Sequence, residues 1–290
     1  MSDFPTVSVL TTVYNRAKFL GECIESVQQS RFTDYEHIIV DDGSTDDSVE
    51  IAKRYAAQNP RIKVFVNEQN LGDYPNRNQA AKHAKGKYLK YLDADDLHGA
   101  WILSVMVDAM ELFPSAGLGI IDHGKNVPTF PTLLKGGEAQ HAYYSGARRI
   151  FDRSPINTII KKDVFDQIGG FTGKRMVGDF EAWHLLSEVT DVVVIPNGHA
   201  HYRVHDDQEM TAHGQDPIWG FRYLLISQEQ LLRPTNPMDA SVRSLHLKAL
   251  NKRIGKTIIH AVKKHGWTKA NQMRSESKKS WTDVVSAAFS

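Results

Sequence analysis

The sequence predicts an α/β fold in which a mostly parallel central sheet carries helices on its faces and is followed by a helical extension. Three observations predict it. Short apolar runs alternate with amphipathic helical patterns through residue 112, a polar cluster closes each run, and only helical spacing remains beyond residue 217.

Residues 7–13 (VSVLTTV) form the first apolar run, and 19–27 follow with apolar side chains at helical intervals. The rhythm repeats with strands expected at 37–40, 62–66 and 87–92, and helices at 49–57, 76–84 and 101–112. Polar residues gather at 12–16, 41–45, 67–72 and 93–96, at the carboxyl end of each predicted strand. Open α/β sheets bind ligands along that edge. Between 120 and 154 the pattern weakens into Gly, Pro and aromatic residues, and helical character returns at 165–171 and 180–187. The last segment reads as helices over 219–232 and 242–262, separated by the break Arg233, Pro234, Thr235, Asn236, Pro237.

A chain of 290 residues that is 41% hydrophobic has enough apolar material for a full-sized core. Its formal charge of +1 hides an asymmetry: residues 234–290 carry eleven Lys and Arg against three Asp and Glu, a charge of +8, which leaves −7 for residues 1–233. An acidic body suits carboxylates gathered at a cation site, and a basic tail suits phosphates, anionic lipid or a solvated helical face. The single cysteine, Cys23, sits among Leu20, Ile24 and Val27 at helical spacing, so a buried thiol and a reducing compartment are expected. No charged leader precedes an apolar run, and no stretch approaches the ~20 apolar residues of a spanning helix.

The acidic cluster Asp93, Asp95 and Asp96 places three carboxylates in four residues after the apolar run ending at Leu92. Their mutual repulsion calls for a cation or for donors that offset it. A hard ion such as Mg²⁺ or Mn²⁺ takes carboxylate and phosphate oxygens together, so a D-x-D at a strand end suits a metal-bridged diphosphate. Asp96 alone also suits a cap for the following helix. In Asp41, Asp42, Gly43, Ser44, Thr45 and Asp46, a carboxylate at a strand end suits a base N–H or a ribose hydroxyl, whereas the residues after it read as an ordinary turn and helix start. The stretch Asn67 to Gly72, with Asn70 inside it, reads as a turn whose glycine lets backbone approach a ligand, with the cation Arg77 nearby.

Four pieces stand in order: VLTTVYNR at 9–16, DDGSTD at 41–46, Asn70-x-Gly72 followed by Arg77 and Asn78, and the run ending in LDADD at 92–96. Together they resemble glycosyltransferase family 2, strongly over residues 5–115 and more weakly over 155–206. The resemblance implies a GT-A fold, Rossmann-like with flanking helices, over residues 1–215, with a nucleotide-sugar half at 1–115 and an acceptor and catalytic half at 116–215; the basic helical extension at 216–290 lies outside it. It implies an inverting transfer of a sugar from a UDP- or GDP-linked donor to an acceptor hydroxyl on a glycan, a lipid-linked glycan or a protein. Thr11, Tyr14, Asp42, Asn70, Arg77, Asp93, Asp95 and Arg203 are then expected at the donor, and Asp93, Asp95 and His205 at Mn²⁺ or Mg²⁺.

The family's acid pair ahead of a helix matches Gly178 and Asp179, so Asp179 falls at the base position although Gly178 replaces the usual glutamate. A helix cap facing the amides of Glu181 or Ala182 is the ordinary alternative for Asp179. Tyr202, Arg203, Val204 and His205 match the family's Y-R-x-H ending, and strand alternation would put Arg203 and His205 on one face. A nucleic-acid partner is not expected, and the protein is expected in the cytoplasm with peripheral contact to the inner membrane face through its basic tail. The sequence carries no H-E-x-x-H, G-x-G-x-x-G or G-x-x-x-x-G-K-S/T motif, which argues against a zinc protease, a dehydrogenase and a P-loop kinase. Two alternatives stand beside this reading: a sugar-phosphate nucleotidyltransferase, which normally has a glycine-rich basic loop near its first strand where residues 11–16 contain no glycine, and a non-catalytic nucleotide- or sugar-binding module, which a turnover assay separates.

Overall fold

The computed structural model describes residues 4–124, 127–196 and 216–289. These fall into two compact units, one from residues up to 139 together with 148–196, the other from 140–147 and 216–289.

The first unit is built on an eight-stranded sheet. In chain order its strands are β1 (Val7–Val13), β2 (Tyr35–Asp41), β3 (Ile62–Val66), β4 (Tyr88–Tyr91), β5 (Ala116–Ile121), β6 (Thr132–Leu134), β7 (Thr158–Lys161) and β8 (Asp191–Ile195). Their spatial order is β3-β2-β1-β4-β7-β5-β8-β6. β1 to β4 pair in parallel, as do β5 and β8, whereas β7 runs antiparallel to both of its neighbours and β6 antiparallel to β8. Val13 lies beside Asp41, and Asp41 beside Val66, so the carboxyl ends of the first strands share one edge.

The helices are α1 (Ala17–Gln28), α2 (Ser48–Gln58), α3 (Asp73–His83), α4 (Ile102–Leu112), α5 (Gly136–Tyr144), α6 (Lys162–Gln167) and α7 (Gly178–Val189). α4 buries Ile102, Leu103, Met106, Val107 and Met110 in a core that also takes Val7, Val9, Tyr88, Ile159 and Val193 from the sheet. A smaller cluster joins Leu20 and Ile24 of α1 to Ile39, Ala52 and Ile62. Helical spacing around 165–171 predicts a longer helix than exists. α6 stops at Gln167 because Gly169 and Gly170 adopt φ of 80° and 77°, a left-handed exit that leaves Phe171 free to turn inward.

The second unit contains α8 (Pro217–Leu232), α9 (Ala240–Glu276) and α10 (Trp281–Phe289). Asp216 and Asp239 cap α8 and α9 by accepting from the amides of Ile218 and of Ser241 and Val242. α9 outruns the helix expected at 242–262 and is interrupted at Gly266, whose φ is 83°. Ile254, Ile258, Ala261 and Met273 pack with Phe221, Leu231 and Val284 in a core of their own. No helix of the described residues is long and apolar enough to cross a membrane.

Candidate functional site

The loops after β1, β2 and β4 are tied to one another at the carboxyl edge of the sheet. Asn15 adopts a left-handed φ of 52°, donates its amide to Ser44 Oγ at 2.9 Å, and accepts at Oδ1 from the Thr45 amide at 2.8 Å. Arg16 gives its amide to Ser48 Oγ at 3.0 Å and its Nε to Asp95 Oδ2 at 3.1 Å. Asp41 Oδ1 accepts from the amides of Gly43 and Ser44, an ordinary turn. Asp42, expected at the nucleoside, is buried and organises the neighbouring loop: Asn67 Nδ2 and the amides of Leu71 and Gly72 donate to it at 2.8–2.9 Å. Asp42 thus shapes the loop that holds Asn70, which is itself exposed, as is Tyr14.

Thr11 is placed differently from the expectation. Strand alternation turns it into the interior, where it is wholly buried and its hydroxyl shares a 2.9 Å hydrogen bond with His37, so its side chain presents no surface to a ligand.

The acidic cluster forms a turn in which the Asp96 amide donates to the Asp93 carbonyl. Two arginines offset its repulsion. Arg16 pairs with Asp95, and Arg77 reaches Asp93 Oδ1 at 2.7 Å while its Nε binds Asp73 Oδ1 at 2.7 Å. Of the two ways the sequence allows for the acids to tolerate one another, a bound cation or donors, the arginines supply the second. Asp96 does not cap a helix either, since α4 begins only at Ile102. Burial pushes the Asp93 carboxyl above its ordinary range and Arg77 opposes that shift. Burial also works against the Arg77 charge, but Asp73 and Asp93 overcome it and hold the guanidinium protonated.

Carboxylates at Asp93 and Asp95 fit a Mg²⁺ or Mn²⁺ ion that takes the rest of its shell from phosphate oxygens and water. They do not make a cage: among the described residues no three His, Cys, Asp or Glu converge to hold a metal. His205 and Arg203, expected at the metal and the diphosphate, lie outside the described residues.

Asp179 occupies the first turn of α7, where Val177, with no side-chain hydrogen bond of its own, is the capping position. Its Oδ1 accepts from the Phe180 amide at 2.7 Å and from the Tyr74 hydroxyl at 3.3 Å, and its own amide donates to the Tyr74 oxygen at 3.1 Å. It does not bind the amides of Glu181 or Ala182, so it is not the cap that sequence alone would allow. Burial raises its carboxyl from the ordinary range to about 6, against the opposing pull of the Phe180 amide and Arg77. The next acid along, Glu181, is buried and bound by Thr172 and, at 2.7 Å, by Lys174.

Tyr74 went unread in the sequence. It is an aromatic residue in the first turn of a helix, with nothing in its neighbours to single it out, and it matters only because the fold brings Asp179, 105 positions away, to its hydroxyl. Asp122 was unread for the same reason. It follows β5 and is held by Arg148 and Arg153 at 3.2 and 3.1 Å.

The sequence profile of a family described as Glycosyl transferase family 2 matches residues 8–169, more than half of the chain. Among curated proteins the chain is similar to the glycosyltransferase AglE of Haloferax volcanii, 27% identical over 194 residues, covering 63% of this chain and 61% of that protein. It is also similar to the glycosyltransferase GlyG of Streptococcus pneumoniae, 37% identical over 91 residues, covering 31% of this chain and 30% of that one. The chain thus spans less than two thirds of either relative. Among solved structures, residues 1–349 of S. aureus TarS in complex with UDP-GlcNAc superpose with a TM-score of 0.73 at 17% identity, over 98% of this chain and 81% of that one. The mannosyltransferase PcManGT from Pyrobaculum calidifontis, in complex with GDP-Man and Mn²⁺, gives 0.61 at 16% identity over 99% and 87%. At such identities the likeness shows a shared fold, and that fold is the GT-A arrangement expected from the sequence.

Proposed function

Because this chain belongs to glycosyl transferase family 2, we infer that it moves a sugar from a UDP- or GDP-linked donor to an acceptor hydroxyl with inversion at the anomeric carbon. The observation that carries this reading is a single helical turn. Asp73, Tyr74 and Arg77 at the start of α3 hold Asp93 through Arg77 and Asp179 through Tyr74, so the candidate donor acid and the candidate base are fixed to one rigid element.

Tyr14, Asn70 and the loop shaped by Asp42 line the nucleoside end of the site. Asp93 and Asp95 face the diphosphate and would hold a divalent ion there, with Arg203 and His205 as further partners. When bound, that ion supplies charge neutralisation to the departing nucleotide. The acceptor oxygen bonds to the anomeric carbon as the bond from that carbon to the diphosphate oxygen breaks. Asp179 takes the hydroxyl proton. A carboxyl brought to about 6 suits that role better than an ordinary one, since a base is most effective when its pKa lies near the working pH. A screen of UDP- and GDP-sugars with Mn²⁺, Mg²⁺ or EDTA tests the reading. Metal-dependent nucleotide release that is lost in Asp95→Ala and in Asp179→Ala is expected, and undiminished release in Asp95→Ala contradicts the metal-assisted donor site.

The second unit supports contact with an anionic membrane. α9 carries no acid between residues 240 and 275, and Lys248, Arg253, Lys256, Lys263 and Lys264 are exposed on it. Each basic residue near an anionic leaflet contributes about 1 kcal/mol. Co-sedimentation with vesicles rich in phosphatidylglycerol, and not with phosphatidylcholine alone, is expected; equal behaviour with both would remove the membrane from the reading.

A further inference from the structure

Gly178 and Tyr74 are one device. A Cβ built on Gly178 would lie 2.8 Å from Cε2 and Cζ of the Tyr74 ring, closer than side-chain carbons pack. The missing side chain at 178 is what lets the phenol lie across the start of α7. From there its oxygen accepts from the Asp179 amide at 3.1 Å and its hydrogen points to Asp179 Oδ1 at 3.3 Å, so one hydroxyl grips both the backbone and the side chain of a single residue. Tyr74 is itself 5% exposed, and its ring rests against Phe171 with centroids 5.2 Å apart, so the grip comes from a residue that is packed in place.

We propose that Tyr74 is a positioning residue for Asp179, made possible by glycine at 178, and that it replaces the acidic neighbour that the resemblance leads one to expect at that position. The inference rests on the reading of Asp179 as the base. The chemistry differs from that of an adjacent carboxylate in a definable way. A second acid would add repulsion to the ionised form of Asp179, whereas a phenol donates to it and favours it without adding charge. Among the described residues, the other charged groups that face Asp179 are Asp73 and Arg77 of α3; on its own helix, Glu181 is occupied by Lys174 and Thr172. Among the described residues, Tyr74 is the side chain whose polar atom bonds to both the carboxylate and the backbone amide of Asp179.

The test is a titration of the Asp179 carboxyl by carbon-13 NMR in the whole chain, alongside kcat for nucleotide release from the donor that the screen selects. In Tyr74→Phe the ring remains and the hydroxyl is lost. The Asp179 midpoint is expected to move to higher pH, kcat to fall about tenfold, as for loss of one hydrogen bond to a charged group, and the KM for the donor to stay unchanged. Gly178→Ala keeps the phenol and pushes it aside, so it is expected to move the midpoint in the same direction. An unmoved midpoint in both variants overturns the inference, as does a fall in kcat with no shift in its acid limb. Asp179→Asn separates this failure from that of the underlying reading: if that variant turns over normally, Asp179 is not the base, whatever Tyr74 does.

Discussion

Asp93 and Asp179 are both held by the first turn of α3, but by opposite means. Asp93 meets a guanidinium at 2.7 Å, and Asp179 meets a neutral phenol at 3.3 Å. Burial raises both carboxyls, and beside Asp93 the Arg77 guanidinium is the strongest influence opposing that shift, an arrangement that suits the binding of charge. A carboxyl held by a hydroxyl in a desolvated setting keeps a proton within reach and suits proton transfer. In the proposed reading the difference divides the site into a part that holds charge and a part that exchanges a proton, with Arg77 beside the one acid and Tyr74, three residues earlier, beside the other.

The comparison breaks most sharply at Asp179. Asp179→Asn is expected to lower kcat by roughly 10²–10⁴-fold, the usual worth of a positioned base, while the nucleotide still binds in calorimetry. Arg77→Ala comes next, because it leaves Asp93 and Asp73 without their shared partner. A stability loss of about 3 kcal/mol in urea denaturation is expected, as when a buried pair loses one member, together with weaker donor binding. Arg16→Ala is the mildest. Its pair with Asp95 is partly solvated, so a change within about 1 kcal/mol is expected, one that shrinks further when unfolding is repeated at high salt.

Most of the first half of the sheet was legible in the sequence because β1 to β4 alternate with helices and each ends in a polar cluster. The second half was not. β5 reads AGLGII, with two glycines that dilute a strand pattern, and β7 has four residues and runs antiparallel between β4 and β5, an arrangement that no local periodicity announces. The acids at the site were legible as residues, but their partners were not. Asp42 reads as a ligand contact in the sequence, and its bonds to the 67–72 loop come from the fold alone. Thr11 looked like a pocket residue and turned inward to His37. Arg77 was only a nearby cation until the fold set it between Asp73 and Asp93. Tyr74 and Gly178 had no meaning apart, since only the packing of α3 against the start of α7 makes one the reason for the other.

The division between a charge-holding acid and a proton-exchanging one is tested most directly by measuring kcat and donor affinity of the unmodified protein across pH 4.5–8.5. Asp179 must be ionised to accept a proton, and its carboxyl stands at about 6, so kcat is expected to be highest above that pH and to fall about tenfold per unit below it. Measuring kcat at saturating donor separates this limb from any change in donor affinity. A kcat that stays level from pH 8.5 down to 4.5 would contradict the account.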